Sequence, residues 1–85
     1  MRRSEVVRLM EGFGLYRALV KLQVNGEARV VPDGISVAKL LEMLGTESSL
    51  VAVEVNTAVV RRAQHFEATL QEGDRVEVVT FVGGG

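Results

Sequence analysis

An 85-residue chain has room for one domain near the lower size limit for folding without disulfides or metal ions, so a complete two-substrate enzyme site is not expected. Ten lysine and arginine residues against eleven aspartate and glutamate residues give no basic surface for nucleic acid, and no apolar run approaches the ~20 residues of a membrane-spanning helix. Cysteine is absent, which excludes disulfides, thiolate metal sites and a cysteine nucleophile. The sequence shows no secretory signal pattern, so the expected location is the cytoplasm.

Residues 1–18 differ in pattern from the rest of the chain and are interpreted as an N-terminal extension. Apolar residues after Ser4 have loosely helical spacing, but Gly12 and Gly14 limit the helix to a turn or two. We expect this extension to be a short helix or a disordered appendage, with a partner-binding helix as the alternative.

A β-hairpin is predicted where this extension ends. Apolar and polar side chains alternate from Leu19 to Val24, as in a strand with one buried face. Asn25-Gly26 tolerates the positive φ angles of a tight hairpin turn, and a second strand is predicted from Ala28 to Val31. Pro32-Asp33-Gly34 then interrupts the strand, because proline lacks the backbone donor that a strand ladder uses.

The next predicted element is a helix that begins after Ser36, whose hydroxyl can cap the first turn. Its apolar residues recur at the spacing of one helix face: Val37, Leu40, Leu41 and Leu44. Gly45 suits the position just past a helix end, where left-handed backbone geometry is common. This face is expected to pack against the sheet.

Further strands are predicted after the helix. A polar loop over residues 46–49 leads to a third strand, Val51 to Val55, which stops at Asn56-Thr57. Val59-Val60 is interpreted as a short edge strand because Arg61-Arg62 follows directly. The order of elements predicts an α+β fold, with a mixed sheet of four to five strands and one main helix packed on one face.

The last strand is predicted from Arg75 to Val82, after the turn signal Glu72-Gly73-Asp74. Alternation puts its side chains on two faces: Val76, Val78 and Thr80 toward the helix, and Glu77, Val79 and Phe81 away from it. Val79 and Phe81 would then be apolar groups in water, and with Val82 they are the candidate partner-binding residues. The alternative is that the extension or a curl of the sheet covers them.

No catalytic constellation accompanies these elements. His65 is the single histidine, and without convergent partners it is interpreted as a surface or half-buried loop residue rather than a catalytic base or metal ligand. No glycine-rich loop with a lysine follows a predicted strand, so a phosphate-binding loop is not expected. We therefore expect no catalytic residue, no metal and no bound cofactor.

Three glycines, Gly83, Gly84 and Gly85, end the chain directly after the last predicted strand. Glycines lack a Cβ atom, so a flexible Gly83-Gly84 tail could pass through a narrow channel into another protein's active site. There, ATP could convert the Gly85 carboxylate to an acyl adenylate, from which sulfur can displace AMP. The product, a thiocarboxylate, would hold nucleophilic sulfur without a cysteine. The alternative is that the glycines are a flexible end or a cloning remnant.

Four segments of the chain resemble the thiamine-biosynthesis sulfur carrier proteins. They are residues 20–27, 36–41, 51–56 and, most specifically, 72–85, and the resemblance covers about Leu19 to Gly85. It implies a ubiquitin-like β-grasp domain over residues 19–85. Two positions depart from the usual pattern, since Thr57 and Arg61 stand where the family usually has glycine and proline.

The resemblance also implies a role and a set of partners. A ubiquitin-activating-type adenylating enzyme would use ATP to adenylate Gly85, and a sulfur donor such as a cysteine desulfurase would supply the sulfur. Thiazole synthase would then accept it, so the chain would be a protein cosubstrate and not an enzyme. Two alternatives remain at this point: a carrier of the same fold for molybdopterin or cysteine synthesis, and a ubiquitin-like binding module that never uses its terminus.

Overall fold

The computed structural model describes residues 18–81, and they contain the predicted elements in the predicted order. The strands are β1 (Leu19–Val24), β2 (Glu27–Pro32), β3 (Val51–Val55), β4 (Ala58–Val60) and β5 (Arg75–Thr80), and the helix is α1 (Val37–Met43). Residues 1–17 and 82–85 lie outside the described part. The predictions for the N-terminal extension, for Val82 and for the three glycines therefore stay predictions.

β5 is the central strand of a five-stranded sheet with the order β2-β1-β5-β3-β4. It runs parallel to β1 and antiparallel to β3, so the sheet is mixed. α1 joins β2 to β3, and its buried residues belong to the same apolar cluster as those of the sheet. The predicted α+β architecture, with one main helix on one face of the sheet, is confirmed.

The core lies between α1 and one face of the sheet. Its buried apolar residues are Val20, Leu22, Val24, Val31, Ile35, Val37, Leu40, Leu41, Val51, Val53, Leu70 and Val76. In β1 the buried residues are the alternate ones, and the same alternation holds in β3. Burying each of these side chains stabilises the fold by roughly 1.5 to 3 kcal/mol, so the period-two pattern fixes which face of the sheet meets the helix.

The first hairpin and the helix have the end structures that the sequence predicts. Asn25 and Gly26 have φ angles of +51° and +84°, as a type I′ turn requires. The Ser36 hydroxyl accepts a hydrogen bond from the Lys39 backbone N–H at 3.0 Å and so caps α1. Gly45 follows the helix with a φ of +79°, the left-handed geometry of a glycine-terminated helix.

The second hairpin turn carries backbone strain at Thr57. Asn56 and Thr57 have φ angles of +53° and +73°. Left-handed geometry is unfavourable for a β-branched side chain, whereas a glycine adopts it without steric cost. The departure from the resembling family at this position therefore leaves the turn in place, and Thr57 adopts a conformation that suits glycine.

The interpretation of His65 as a surface or half-buried residue is wrong. The side chain is fully buried, with 1% of its surface exposed. Its Nε2 donates to the Val60 carbonyl oxygen at 3.0 Å, because a carbonyl can only accept, and its Nδ1 is hydrogen-bonded to the Ser48 hydroxyl at 2.7 Å. Both ring nitrogens are used, so burial costs little and the ring ties the segment before β3 to the end of β4.

The bounds of four predicted segments differ slightly from the structure. β4 begins at Ala58, one residue before the predicted edge strand. β2 is one residue longer at each end, because the turn closes at Glu27 and Pro32 still pairs with Leu19. β5 ends at Thr80, before the predicted end at Val82, although the Phe81 backbone N–H still donates to the Leu50 carbonyl at 2.9 Å. The predicted polar loop ends in a short 3-10 turn, Ser48–Leu50.

Candidate docking face and chain terminus

The outer face of the sheet, on the side away from α1, exposes apolar side chains at the end of β5. Val76 is buried in the core, whereas Val79 is 60% exposed and Phe81 is 57% exposed. The prediction that these two side chains lie away from the helix is confirmed. Among the described residues nothing buries them, so the alternative in which a curl of the sheet covers them is not supported.

Val79 and Phe81 belong to a small apolar patch that includes their neighbours across the sheet. Ala52 of β3 pairs with Val79, and Leu50, which is 49% exposed, accepts the Phe81 backbone hydrogen bond. We call these four residues the outer patch. Clustered exposed apolar groups of this kind mark interaction surfaces more often than single exposed side chains do.

The outer patch lies at the end of the sheet from which the chain continues toward Gly85. Further back along the same face, β1, β3 and β5 expose polar or charged residues, and the outer strands β2 and β4 each expose a valine, Val30 and Val59. Gly85 is the fifth residue after Thr80, and five residues span at most about 18 Å when fully extended. Any protein that acts on the terminal carboxylate must therefore come within that distance of the end of β5.

Asparagine side chains at both hairpin turns bond to the backbone of β5. The Asn56 Oδ1 accepts from the Arg75 backbone N–H at 2.9 Å, and its Nδ2 donates to the Asp74 Oδ1 at 2.9 Å. Asn25 makes comparable bonds farther along β5, at Val78. The sequence predicted these asparagines as turn residues only, because nothing in a local pattern shows which strand a side chain will meet.

Neither a three-residue metal site nor a membrane-spanning helix is present within the described residues. No group of three or more His, Asp or Glu residues lies close enough together to hold a metal ion within residues 18–81. Within the same range, no helix has the length and apolar character needed to cross a membrane. The candidate site on the described surface is the outer patch, because its apolar side chains are exposed and adjacent, and Gly85 lies outside the described residues.

Comparison with known proteins decides between the classes of small β-sheet domain that this geometry fits. The sequence profile of the ThiS family matches residues 13–85, which include the whole described domain and all three terminal glycines. The chain belongs to the ThiS family. Proteins of the ThiS family are small sulfur carriers of thiamine biosynthesis, so the resemblance seen in the sequence is confirmed.

Individual ThiS proteins agree with this assignment. The sulfur carrier protein ThiS of Bacillus subtilis is 34% identical over 65 residues, which cover 75% of this chain and 98% of that protein. The crystal structure of the thiamine biosynthesis protein ThiS from Geobacter metallireducens matches with a TM-score of 0.67 and 35% identity, covering 78% of this chain and 100% of that one. The structural match confirms the ubiquitin-like β-grasp fold.

The chain is also similar to part of two much longer proteins. A thiazole synthase of Paramagnetospirillum magneticum is 39% identical over 66 residues, which cover 78% of this chain and 20% of that protein. A thiazole synthase of Magnetococcus marinus is 44% identical over 66 residues, with the same coverage of 78% and 20%. This ThiS-family chain thus spans about a fifth of the length of the thiazole synthases that it matches.

Proposed function

We propose that this ThiS-family protein carries sulfur as a thiocarboxylate on Gly85 and donates it for formation of the thiazole of thiamine. The observation that supports this most strongly is the position of the three glycines, which end the chain within five residues of the central strand. The protein would act in the cytoplasm as a cosubstrate of its partner enzymes. It would bind no cofactor of its own.

The proposed chemistry begins with activation of the Gly85 carboxylate. A carboxylate oxygen attacks the α-phosphorus of ATP on a ubiquitin-activating-type adenylating enzyme, and pyrophosphate leaves. A donor such as a cysteine desulfurase supplies persulfide sulfur, and a thiol reductant converts it to hydrosulfide while the thiol is oxidised to a disulfide. The hydrosulfide sulfur then attacks the acyl carbon, and AMP leaves. The carbonyl carbon keeps one oxygen and gains one sulfur. The sulfur is held at the chain end, as a protein without cysteine requires.

Docking of the adenylating enzyme is assigned to the outer patch together with the following residue, Val82. Val79 and Phe81 are exposed, lie side by side with Ala52 and Leu50, and come just before the glycines in sequence. Aromatic and aliphatic groups dominate the centres of protein interfaces because their burial excludes water. An enzyme bound there would have Gly83, Gly84 and Gly85 within reach of its ATP site.

Thiazole synthase is proposed as the sulfur acceptor. Two proteins named thiazole synthase contain a segment similar to this chain within their own much longer sequences. A shared chain keeps two modules at high effective concentration, which favours modules that act on each other. This arrangement supports a working relationship between the carrier and the synthase.

The test is mass spectrometry of the intact protein after incubation with ATP, a sulfur donor and each of three adenylating enzymes. These are the enzymes of thiamine, molybdopterin and cysteine synthesis. We expect the thiamine-pathway enzyme to give an adenylate and then a chain heavier by the difference between sulfur and oxygen. Loading only by one of the other two enzymes would reassign the pathway. No loading by any of them would favour the non-carrier binding module.

A further inference from the structure

The backbone of Val78 lies on a stretch of β5 that β1 does not reach. β1 ends at Val24, which pairs with Val76, whereas β5 continues to Thr80. On this side, no strand formed by residues 18–81 lies beside the Val78 backbone. The Asn25 side chain occupies that place: its Oδ1 accepts from the Val78 N–H at 2.8 Å and its Nδ2 donates to the Val78 carbonyl at 3.2 Å.

The turn geometry explains why an asparagine side chain can replace a strand residue here. The Asn25 backbone N–H donates to the Val76 carbonyl at 2.9 Å, as the last rung of the ladder between β1 and β5. With a φ of +51°, the main chain then turns away toward β2. The carboxamide offers an N–H donor and a carbonyl acceptor, as a peptide group does, and makes the next pair of hydrogen bonds along β5. Glycine would permit the turn without the bonds, and aspartate would lack the donor.

The two hydrogen bonds hold β5 directly before the outer patch. Val78 precedes Val79 in the chain, and on the opposite edge of β5 the Phe81 N–H donates to the Leu50 carbonyl. Without the Asn25 side chain, β3 would be the one strand within the described range that holds the last residues of β5. A partner that docks on the outer patch would then have to order this segment as it binds, and such ordering lowers affinity.

We propose that Asn25 is a positioning residue for the carrier reaction. It fixes the end of β5, so that the outer patch and the chain end are presented to the adenylating enzyme in one arrangement. This inference rests on the proposed function. It concerns recognition of the carrier by the enzyme, not the bond-making steps, so its effect falls on KM and not on kcat.

The experiment compares Asn25→Gly with Val31→Ala. Glycine accepts the positive φ of the turn and removes the side chain that bonds to Val78. Val31→Ala removes part of a buried side chain of β2, which is not adjacent to β5, and destabilises the domain at least as much. We expect the KM for adenylation of Asn25→Gly to rise roughly fivefold with kcat unchanged, and that of Val31→Ala to stay at the wild-type value.

Amide hydrogen exchange gives a second readout that does not depend on any enzyme. In Asn25→Gly, the Val78 amide should exchange about tenfold faster, while the Phe81 amide, bonded to Leu50, changes little. An unchanged Val78 amide, or equal KM values for the two variants, would overturn the positioning role. If the wild-type chain is not adenylated at all, the proposed function fails, whereas the exchange result still tests whether Asn25 holds β5.

Discussion

The two faces of β5 use apolar residues for different purposes. On the inner face, Val76 is fully buried and Val78 packs against the core, so their apolar character is explained by folding. On the outer face, Val79 and Phe81 are more than half exposed and bury little surface against the rest of residues 18–81. Packing within the described residues does not account for them. One strand therefore holds the domain together on one side and, by our proposal, binds a partner on the other.

A single exposed valine is not by itself evidence for binding. Val30 of β2 is 61% exposed, almost the same fraction as Val79. It pairs with Lys21 and so lies on the outer face of the sheet as well. Single exposed aliphatic residues are common on protein surfaces. The difference between Val30 and Val79 is location, because Val30 pairs with a lysine, whereas Val79 pairs with Ala52 and is followed by the exposed Phe81 near Gly85. This contrast makes the role of the outer face testable.

The largest expected effect comes from removing the terminus that the outer face is proposed to present. Deletion of Gly84-Gly85 should abolish adenylation and sulfur transfer, because the carboxylate no longer reaches the enzyme's ATP site. The free energy of unfolding, measured by urea denaturation, should change by less than about 0.5 kcal/mol, since no core residue is removed. Binding to the adenylating enzyme should persist through the outer patch. Thiazole formation by the truncated chain would point to a binding module.

A substitution of a buried residue should affect the free energy of unfolding and not recognition by the enzyme. His65→Ala removes a buried ring and leaves the Val60 carbonyl and the Ser48 hydroxyl without their partner, so we expect a loss of about 3 kcal/mol in the free energy of unfolding. Phe66→Ala is the control, because Phe66 is the next residue and is 81% exposed. It should cost less than about 0.5 kcal/mol. Equal losses for the two variants would show that the buried ring and its two hydrogen bonds add no more to the free energy of unfolding than an exposed ring does.

The outer face can be tested with the same substitution at two equally exposed positions. Val79→Asp places a charge within the outer patch and should raise the KM for adenylation at least about tenfold, because that charge would be desolvated in the complex. Val30→Asp should leave this KM unchanged. Circular dichroism should show both variants folded. If both variants raise KM equally, the enzyme does not distinguish the outer patch from the rest of the sheet.

The smallest predicted effect concerns Thr57 in the turn between β3 and β4, which lies outside β5. Thr57→Gly should stabilise the domain by roughly 0.5 to 1 kcal/mol, because glycine adopts a φ of +73° without steric cost and this gain exceeds the added entropy of the unfolded chain. Ala58→Gly, one residue later in β4, should instead destabilise it by about 0.5 to 1 kcal/mol. A loss of stability in both variants would mean that Thr57 makes favourable contacts that outweigh its strain.

Much of the fold could be predicted from residue patterns because the signals are local. Alternation identified the strands, and Ser36 and Gly45 marked the helix ends. His65 could not be placed, since its two partners, Ser48 and Val60, become its neighbours only through the fold. A histidine without visible partners in the sequence is ambiguous between surface and core.

Part of the candidate site could also be predicted from local sequence patterns. The opposite orientations of Val76 and Val79 follow from the two-residue period of a strand, and the structure confirms them. The carboxamide bonds from Asn25 and Asn56 to β5 join residues far apart in sequence, so no local pattern revealed them. The proposed role of Gly85 depends on chemistry supplied by other proteins, so the fold of this chain does not contain it.

The most direct measurement is fragmentation of the sulfur-loaded chain by tandem mass spectrometry, alongside a chain whose α-carboxyl is blocked as an amide. We predict that the entire mass change resides in the C-terminal fragment at Gly85, and that the amide-blocked chain acquires neither AMP nor sulfur. Sulfur found on any other residue, or normal sulfur delivery by the blocked chain, would contradict the proposal that the terminal carboxylate is the reactive group.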